Sequence, residues 1–187
     1  MQSIVSRRYF IAGLGALSGL PLLGRVAAST LSGPMPNTEV SIENFSPAGK
    51  SLGVVREPKI VKTDEEWRAQ LSPLSYRVAR RADTETAFSG EYDKENPDGI
   101  YHCICCDTPL YDSRTKFDSH TGWPSFWEPI SKLNVVKSAD NSFGMSRVAI
   151  ACRRCDAHLG HVFDDGPKPT GLRYCMNSVA LHLTPRA

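Results

Sequence analysis

The chain has 187 residues, enough for one domain of ordinary size with terminal extensions. Hydrophobic residues make up 41% of the sequence, which suffices for a core and excludes a wholly disordered chain. The formal net charge of +2 at pH 7 excludes a strongly basic nucleic-acid-binding protein, and no apolar run reaches the roughly 20 residues that span a bilayer.

The N-terminal residues 1–28 resemble a twin-arginine export signal. Arg7 and Arg8 precede a short apolar stretch diluted by glycine, and Val26-Ala27-Ala28 provides the small residues that a signal peptidase cleaves after. We therefore expect export to the periplasm; the alternative is an N-terminal anchor that stays attached. Without this segment the chain carries 19 basic and 20 acidic side chains, so the mature protein is near neutral.

Residues 29–57 are rich in Ser, Pro, Gly and Asn, which predicts a flexible linker ahead of a domain over 58–187. The domain opens with Thr63-Asp64-Glu65-Glu66, which matches a helix capping box, and Ser72-Pro73 predicts the start of a second short helix.

After residue 86, short runs of β-branched and aromatic residues alternate with turn residues. This spacing predicts a mainly β, antiparallel domain with short N-terminal helices. The predicted strands cover 99–102, 134–136, 147–151, 159–163 and 174–183.

Four of the six cysteines form two Cys-x-x-Cys pairs, Cys103 with Cys106 and Cys152 with Cys155. Both pairs lie in a longer repeat, Cys-x-x-Cys-Asp-x-x-Leu, which indicates two similar turns that face each other around one structural Zn²⁺. Disulfides are the alternative in an exported protein. Zinc is favoured because twin-arginine export carries folded chains, in which the metal already shields the thiolates.

Cys175 is the candidate nucleophile among the two remaining cysteines. In an extended strand, period-2 alternation places Arg173, Cys175 and Asn177 on one face. A cation and a hydrogen-bond donor beside a thiol stabilise its thiolate form, as a nucleophile requires. A buried, inert cysteine is the alternative.

Two further motifs carry candidate site residues. His158 and His161 could act as acids or orienting donors, although a histidine with only a structural role is the usual outcome. Trp123 and Phe126 in Gly122-Trp123-Pro124-Ser125-Phe126 could form an aromatic wall for a small apolar group, or could simply cap a core.

Together these motifs resemble the B-type methionine sulfoxide reductases, which reduce the R epimer of methionine sulfoxide. The matching blocks run in the family's order over roughly 60–185: Glu66-Trp67, Thr84-Glu85-Thr86-Ala87-Phe88-Ser89-Gly90, Gly99-Ile100-Tyr101-His102-Cys103, Gly122-Trp123-Pro124-Ser125-Phe126, 158–167 and 171–178. The resemblance implies two antiparallel sheets stapled by zinc, with the metal on the side away from the active site.

The resemblance also implies the roles of individual residues. Cys175 would be the nucleophile, next to Arg173, and the wall that contains Trp123 and Phe126 would receive the ε-methyl group of the substrate. The residues that handle the sulfoxide oxygen would be His161, His158, Asp165 and Asn177. Attack would leave Cys175 as a sulfenic acid while methionine is released, repairing oxidised proteins in the cell envelope. The protein would act as a monomer.

The sequence departs from the family pattern at two positions. Many members carry a resolving cysteine just before Gly122, where this chain has Thr121, and Cys105 is a poor substitute because it lies between two zinc ligands. We therefore expect reduction by a thioredoxin-like protein in trans. Ala149 replaces a Glu that is usual in the family, which puts a pocket role of that acid in doubt.

Two other function classes remain open at this stage. A non-enzymatic zinc module that binds a protein partner would make Cys175, His161 and Trp123 dispensable. A zinc hydrolase would need His158, His161 and a third ligand around an open metal position.

Overall fold

A computed structural model describes residues 38–186, apart from the side chain of residue 143. The predicted signal over 1–28 and the first part of the predicted linker lie outside the described residues. Within 38–186, no helix has both the length and the apolar character needed to cross a membrane.

Two short helices begin where the capping signals predict. The first, α1 (Asp64–Gln70), has a complete capping box: the Glu66 amide donates to the Thr63 hydroxyl, and the Thr63 amide donates to the Glu66 carboxylate. The second, α2 (Pro73–Arg81), starts with the proline at its first turn and is capped by Ser72. Both predicted helices are confirmed.

Within residues 38–186, eleven strands form three antiparallel sheets. The strands are β1 (Glu39–Phe45), β2 (Ser51–Pro58), β3 (Gly99–Cys103), β4 (Pro109–Asp112), β5 (Lys116–Phe117), β6 (Ser125–Phe126), β7 (Val135–Asp140), β8 (Arg147–Cys152), β9 (His158–Phe163), β10 (Arg173–Met176) and β11 (Leu181–Pro185). The strand orders are β1-β2, β5-β6-β10-β9-β8-β7 and β11-β3-β4. The mainly β, antiparallel fold class is confirmed, and the hairpin β1-β2 adds a third sheet to the two that were expected.

The linker prediction is wrong for residues 39–57, because β1 and β2 form an ordered hairpin there. Ile42 is only 2% exposed, and Asn134 joins the hairpin to the domain. The Glu43 amide donates to the Asn134 side-chain oxygen, and the Asn134 side-chain nitrogen donates to the Glu43 carbonyl, both at 2.8 Å. These partners lie 91 residues apart, so local composition gave no sign of the docking.

The strand predicted over 174–183 is interrupted at Asn177. β10 ends at Met176, a 3-10 turn follows over Ser178–Ala180, and β11 then pairs with β3 in a different sheet. The chain changes sheets because the Glu85 carboxylate accepts hydrogen bonds from the amides of Ser178 and Val179, at 2.7 and 3.0 Å. Period-2 alternation alone does not reveal such a break.

The main core lies between the six-stranded and three-stranded sheets. Tyr111 from β4 stacks on Phe126 from β6 at 4.5 Å, and Tyr101 from β3 meets the same ring edge-on at 5.1 Å. Tyr174 and Met176 of β10 are also buried there. The inward face of β10 therefore anchors the strand, and Cys175 is left on its outer face.

Candidate active site and cysteine cluster

Cys175 lies on a central strand of the six-stranded sheet, at the edge of a cavity of about 140 Å³. It is paired in register with His161 on β9 and with Ser125 on β6. His161, Asn177 and Trp123 line the same cavity. Three predicted motifs from distant parts of the chain thus meet around one thiol.

Gly160 permits the close approach of β9 to the strand that carries Cys175. A Cβ atom at position 160 would lie 2.1 Å from the carbonyl oxygen of Cys175, which is far inside van der Waals contact. Any side chain here would push β9 away from β10, and with it the adjacent His161. The glycine is therefore required by the geometry of the site.

The charge state of Cys175 is set by opposing influences. Burial raises the pKa of the thiol, while a hydrogen bond from Thr121 and the positive charge of Arg173 lower it, and burial prevails. Arg173 is itself held by Asp165, whose carboxylate accepts two hydrogen bonds from the guanidinium at 2.9 and 2.8 Å. Cys175 therefore rests as a thiol, beside a fixed cation that favours its deprotonation.

Three hydroxyl groups surround Cys175 on the side away from β9. The Thr121 hydroxyl lies 3.9 Å from the Cys175 sulfur and 2.8 Å from the Ser119 hydroxyl, which in turn lies 2.7 Å from Ser125. This chain of small polar groups occupies the side of the thiol where many family members have a second cysteine.

The aromatic wall is made by Trp123 and Phe163, not by Trp123 and Phe126. The Trp123 indole donates to the carbonyl of Glu85 at 3.2 Å, and the Arg173 guanidinium lies 4.4 Å above the centre of the Phe163 ring. The prediction for Phe126 is wrong, because its ring is 0% exposed in the aromatic core. Strand alternation on β9, which places Phe163 on the same face as His161, was the signal for the missed residue.

Asn177 lines the cavity and also fixes its floor. Its side-chain oxygen accepts from the Glu85 amide at 3.0 Å, and its side-chain nitrogen donates to the Leu159 carbonyl at 3.1 Å. One amide hydrogen is left over for the cavity. Glu85, which the sequence analysis gave no role, positions both Asn177 and Trp123 through its backbone.

The two histidines occupy different environments. His161 borders the cavity, and its Nε2 lies 2.7 Å from a carboxylate oxygen of Asp140. The His158 ring meets the His161 ring edge-on at 5.3 Å and does not line this cavity. Burial, with a smaller contribution from His161, lowers the pKa of His158 to about 4, so His158 is neutral at pH 7.

The structure thus brings most of the predicted site residues together, some at the cavity itself and others in contact with those residues. Cys175, His161, Asn177 and Trp123 border the cavity, and Arg173 interacts with the thiol. Asp165 acts through Arg173, and His158 lies behind His161. Four residues were not predicted: Glu85 and Asp140, which hold other site residues in place, and Arg147 and Phe163, which line the cavity.

The four predicted metal-binding cysteines converge, as their spacing indicated. Their sulfur atoms all lie within 4.8 Å of one another, with Cys103 and Cys155 3.6 Å apart and Cys106 and Cys152 3.5 Å apart. None of the four forms a disulfide. Four sulfurs at about 2.3 Å from one Zn²⁺ in a tetrahedron would be about 3.8 Å apart, so the cluster fits a tetrahedral metal ion.

The repeated aspartate in Cys-x-x-Cys-Asp has a conformational role in each turn. Asp107 and Asp156 both adopt positive φ, at 61° and 56°. Each donates its amide to the carbonyl of the first cysteine of its turn, Asp107 to Cys103 at 2.9 Å and Asp156 to Cys152 at 3.0 Å. Aspartate tolerates the left-handed region better than most residues, which explains the repeat.

Comparisons with known proteins agree with this geometry. Residues 71–185 match the family model described as the SelR domain. The chain is 61% identical over 128 residues to "Peptide methionine sulfoxide reductase MsrB" from Pseudomonas entomophila (strain L48), covering 68% of this chain and 98% of that protein. The protein of the same name from Pseudomonas syringae pv. syringae (strain B728a) is 60% identical over 129 residues, covering 69% of this chain and 98% of that protein.

The chain belongs to the B family of peptide methionine sulfoxide reductases. This is a family of oxidoreductases, so the non-enzymatic zinc module is set aside. Among residues 38–186, the four-cysteine cluster is the only group of three or more close candidate ligands. The zinc hydrolase interpretation therefore has no metal site at His158 and His161.

The position of Thr121 yields a direct test in this family member. Its hydroxyl oxygen lies 3.9 Å from the Cys175 sulfur, so in the Thr121→Cys variant a modest side-chain rotation should bring the two sulfurs to the bonding distance of about 2.05 Å. After one turnover without reductant, we expect this variant to lose both thiols to an internal disulfide. The wild type should lose one thiol only. Thiol titration and non-reducing peptide mapping measure this, and two unlinked cysteines after turnover would contradict it.

Proposed function

We propose that this chain reduces methionine-R-sulfoxide residues in oxidised proteins to methionine, with Cys175 as the nucleophile. The observation that carries the proposal is the placement of the Cys175 thiol in a cavity with His161 directly opposite and aromatic rings of Trp123 and Phe163 on its walls. A thiol, a proton carrier and an apolar wall are what reduction of a small sulfoxide requires.

The proposed reaction is a two-electron transfer between two sulfur atoms. The Cys175 thiol gives up its proton, which passes to the sulfoxide oxygen, and the thiolate attacks at the sulfoxide. The substrate S–O bond breaks, a Cys175 S–O bond forms, and the electron pair remains on the methionine sulfur. The products are methionine and a Cys175 sulfenic acid, so Cys175 is oxidised by two electrons and the substrate is reduced by two.

The chain's own residues assist each part of this step. The Arg173 charge favours the thiolate as it forms, and the free amide hydrogen of Asn177 is available to the polar sulfoxide oxygen. Trp123 and Phe163 exclude water and receive the substrate's methyl group. The substrate's methyl group would face the aromatic wall, and its oxygen would face Asn177. Only one epimer can make both contacts while its sulfur faces Cys175, which supports selection of that epimer.

The sulfenic acid must be reduced by a thiol from another molecule. Thr121 stands where an internal resolving thiol would be, and Cys105 is 4% exposed with zinc-cluster cysteines Cys103 and Cys155 beside it. We propose a thioredoxin-like dithiol: one thiol displaces water from the sulfenic acid, and the second releases Cys175 as a thiol with formation of the donor's disulfide.

The four-cysteine cluster supports one structural Zn²⁺ per chain. Three of its members are buried, their spacing suits a tetrahedral ion, and a four-sulfur site leaves no open position for a substrate. Bound zinc would cross-link the turn after β3 to the turn after β8. Cys103, Cys106, Cys152 and Cys155 would hold it.

We also propose that the enzyme works in the periplasm after twin-arginine export, which the sequence of residues 1–28 supports. Expression of the full chain in a bacterium with an inducible block of that pathway tests this. The wild-type chain, with Arg7 and Arg8 intact, should accumulate in the periplasm of the unblocked strain. This accumulation should disappear when the pathway is blocked.

The activity itself is tested with a blocked methionine sulfoxide peptide supplied as separate R and S epimers, with dithiothreitol as reductant. We expect methionine formation from the R epimer only, measured by chromatography. Reduction of the S epimer alone, or of neither epimer by zinc-loaded protein, would contradict the proposal.

A further inference from the structure

His161 is held by the carboxylate of Asp140, a residue outside the sequence motifs described above. Its Nε2 lies 2.7 Å from Oδ2 of Asp140, the last residue of β7. The His161 side chain is 12% exposed and that of Asp140 is 20% exposed, so the pair is only partly shielded from water. Among the described residues, the other ring nitrogen of His161, Nδ1, has no hydrogen-bond partner.

Asp140 is itself fixed by several donors. Oδ1 accepts from the Ser142 amide at 2.9 Å, and Oδ2 accepts from the Arg147 guanidinium at 2.7 Å. The hydrogen bonds from Ser142, followed by that from His161, hold the pKa of Asp140 well below its usual range. The carboxylate is therefore ionised at neutral pH and acts only as an acceptor.

Strand β8, which pairs with β9, places no hydrogen-bond acceptor opposite the His161 side chain. Ala149 on β8 is directly opposite His161 in register, and its methyl group cannot accept a hydrogen bond. Ala149 and Ala151 border a second cavity of about 610 Å³ that reaches both His161 and Asp140. The carboxylate that holds the ring thus comes from β7, one strand further away, across the space that the two alanines leave.

On the basis of the proposed function, we infer that Asp140 is the positioning residue for His161. By accepting the Nε2 proton, its carboxylate fixes the ring orientation and tautomer and leaves Nδ1 as the nitrogen that takes the Cys175 proton and passes it to the sulfoxide oxygen. No atom is gained or lost: the proton leaves the thiol, resides on Nδ1 and ends on the oxygen that becomes the sulfenic acid hydroxyl.

His158 fits this arrangement as a packing partner. Its ring lies edge-on to His161 at 5.3 Å, and burial keeps it neutral. It restricts the tilt of the His161 ring without competing for the proton. Asp140 does not line the cavity that contains Cys175, so it acts on the substrate only through His161 and Arg147, which both contact Asp140 and line that cavity.

The test is single-turnover release of methionine from the R epimer, without reductant, by the zinc-loaded protein. In Asp140→Ala we expect the rate constant of this step to fall about 100-fold with little change in substrate affinity, because general acid–base assistance is lost. Asp140→Asn keeps the side-chain shape and should also be slow, since its amide can donate to the ring and select the other tautomer.

A rescue variant separates positioning from a merely structural role. Adding Ala149→Glu to Asp140→Ala places a new carboxylate opposite His161, and we expect it to recover at least about 10-fold of the lost rate. The matched control adds Ala149→Gln, which has the same size without the charge, and should recover none.

Two results would overturn the inference: a single-turnover rate in Asp140→Ala within about two-fold of wild type, or equal rescue by Gln and Glu at position 149. Thermal unfolding of each variant is measured alongside the kinetics to check that the variant is folded. Failure of wild type to release methionine would instead refute the proposed function, so the two failures are distinguishable.

Discussion

Replacing Cys175 with serine abolishes methionine release from the R epimer, and this is the largest effect that we expect of any single substitution. A serine hydroxyl deprotonates far less readily than a thiol, and its oxygen cannot take up the sulfoxide oxygen as a reversible sulfenic acid. The Arg173 charge and the Thr121 hydroxyl act on the sulfur and do not substitute for it. Turnover with dithiothreitol measures the loss.

The fate of the oxygen gives this prediction a second readout. After one turnover without reductant, a sulfenic-acid-specific 1,3-dione should label Cys175 in wild type and nothing in Cys175→Ser. Cys105→Ser is the control, because Cys105 is enclosed by the metal-site turn and has no contact with the cavity. Full activity in Cys175→Ser, or a dione adduct on Cys105, would contradict the assigned nucleophile.

The second large effect is on stability, through the cysteine cluster. Cys106→Ser removes one of four sulfur ligands, and we expect loss of bound zinc and a fall of at least about 10 °C in the thermal midpoint. The cluster joins the turns that follow β3 and β8, which belong to different sheets, so its loss uncouples the two sheets. Elemental analysis and thermal unfolding measure the two results.

The adjacent residue offers a matched control for this prediction. Cys105→Ser changes the same turn by the same chemical step but removes no ligand, so the variant should keep one zinc per chain. A chelator should lower the thermal midpoint of Cys105→Ser and wild type alike. If the wild-type protein contained no zinc and its four clustered cysteines formed disulfides, the assignment of the cluster as a zinc site would be contradicted.

Much of the local structure follows from the sequence because its causes are local. The capping residues Thr63 and Ser72 satisfy amides within three positions, and each Cys-x-x-Cys turn closes on itself with an aspartate at positive φ. These features need no partner from elsewhere in the chain.

The errors arise where a distant partner decides the outcome. The hairpin β1-β2 is ordered by Asn134, and the break after β10 is stabilised by Glu85. Phe126 shares a motif with Trp123, but Trp123 lies in the bend before β6, whereas Phe126 lies on β6 and is buried between Tyr101 and Tyr111. A motif indicates that its residues are used together, and only packing assigns the side each one faces.

The sequence by itself determined the family, the four cysteines that cluster and the proposed nucleophile Cys175 with its charged neighbour Arg173. Those inferences depend on residue type and short spacing, which the chain carries directly. Only the tertiary structure revealed that Asp140 holds His161 and that Phe163 completes the apolar wall, because strand pairing brings Asp140 to a histidine 21 residues away. The proposed nucleophile is visible in the sequence, whereas the orientation of the proposed proton carrier, His161, depends on how the strands pair.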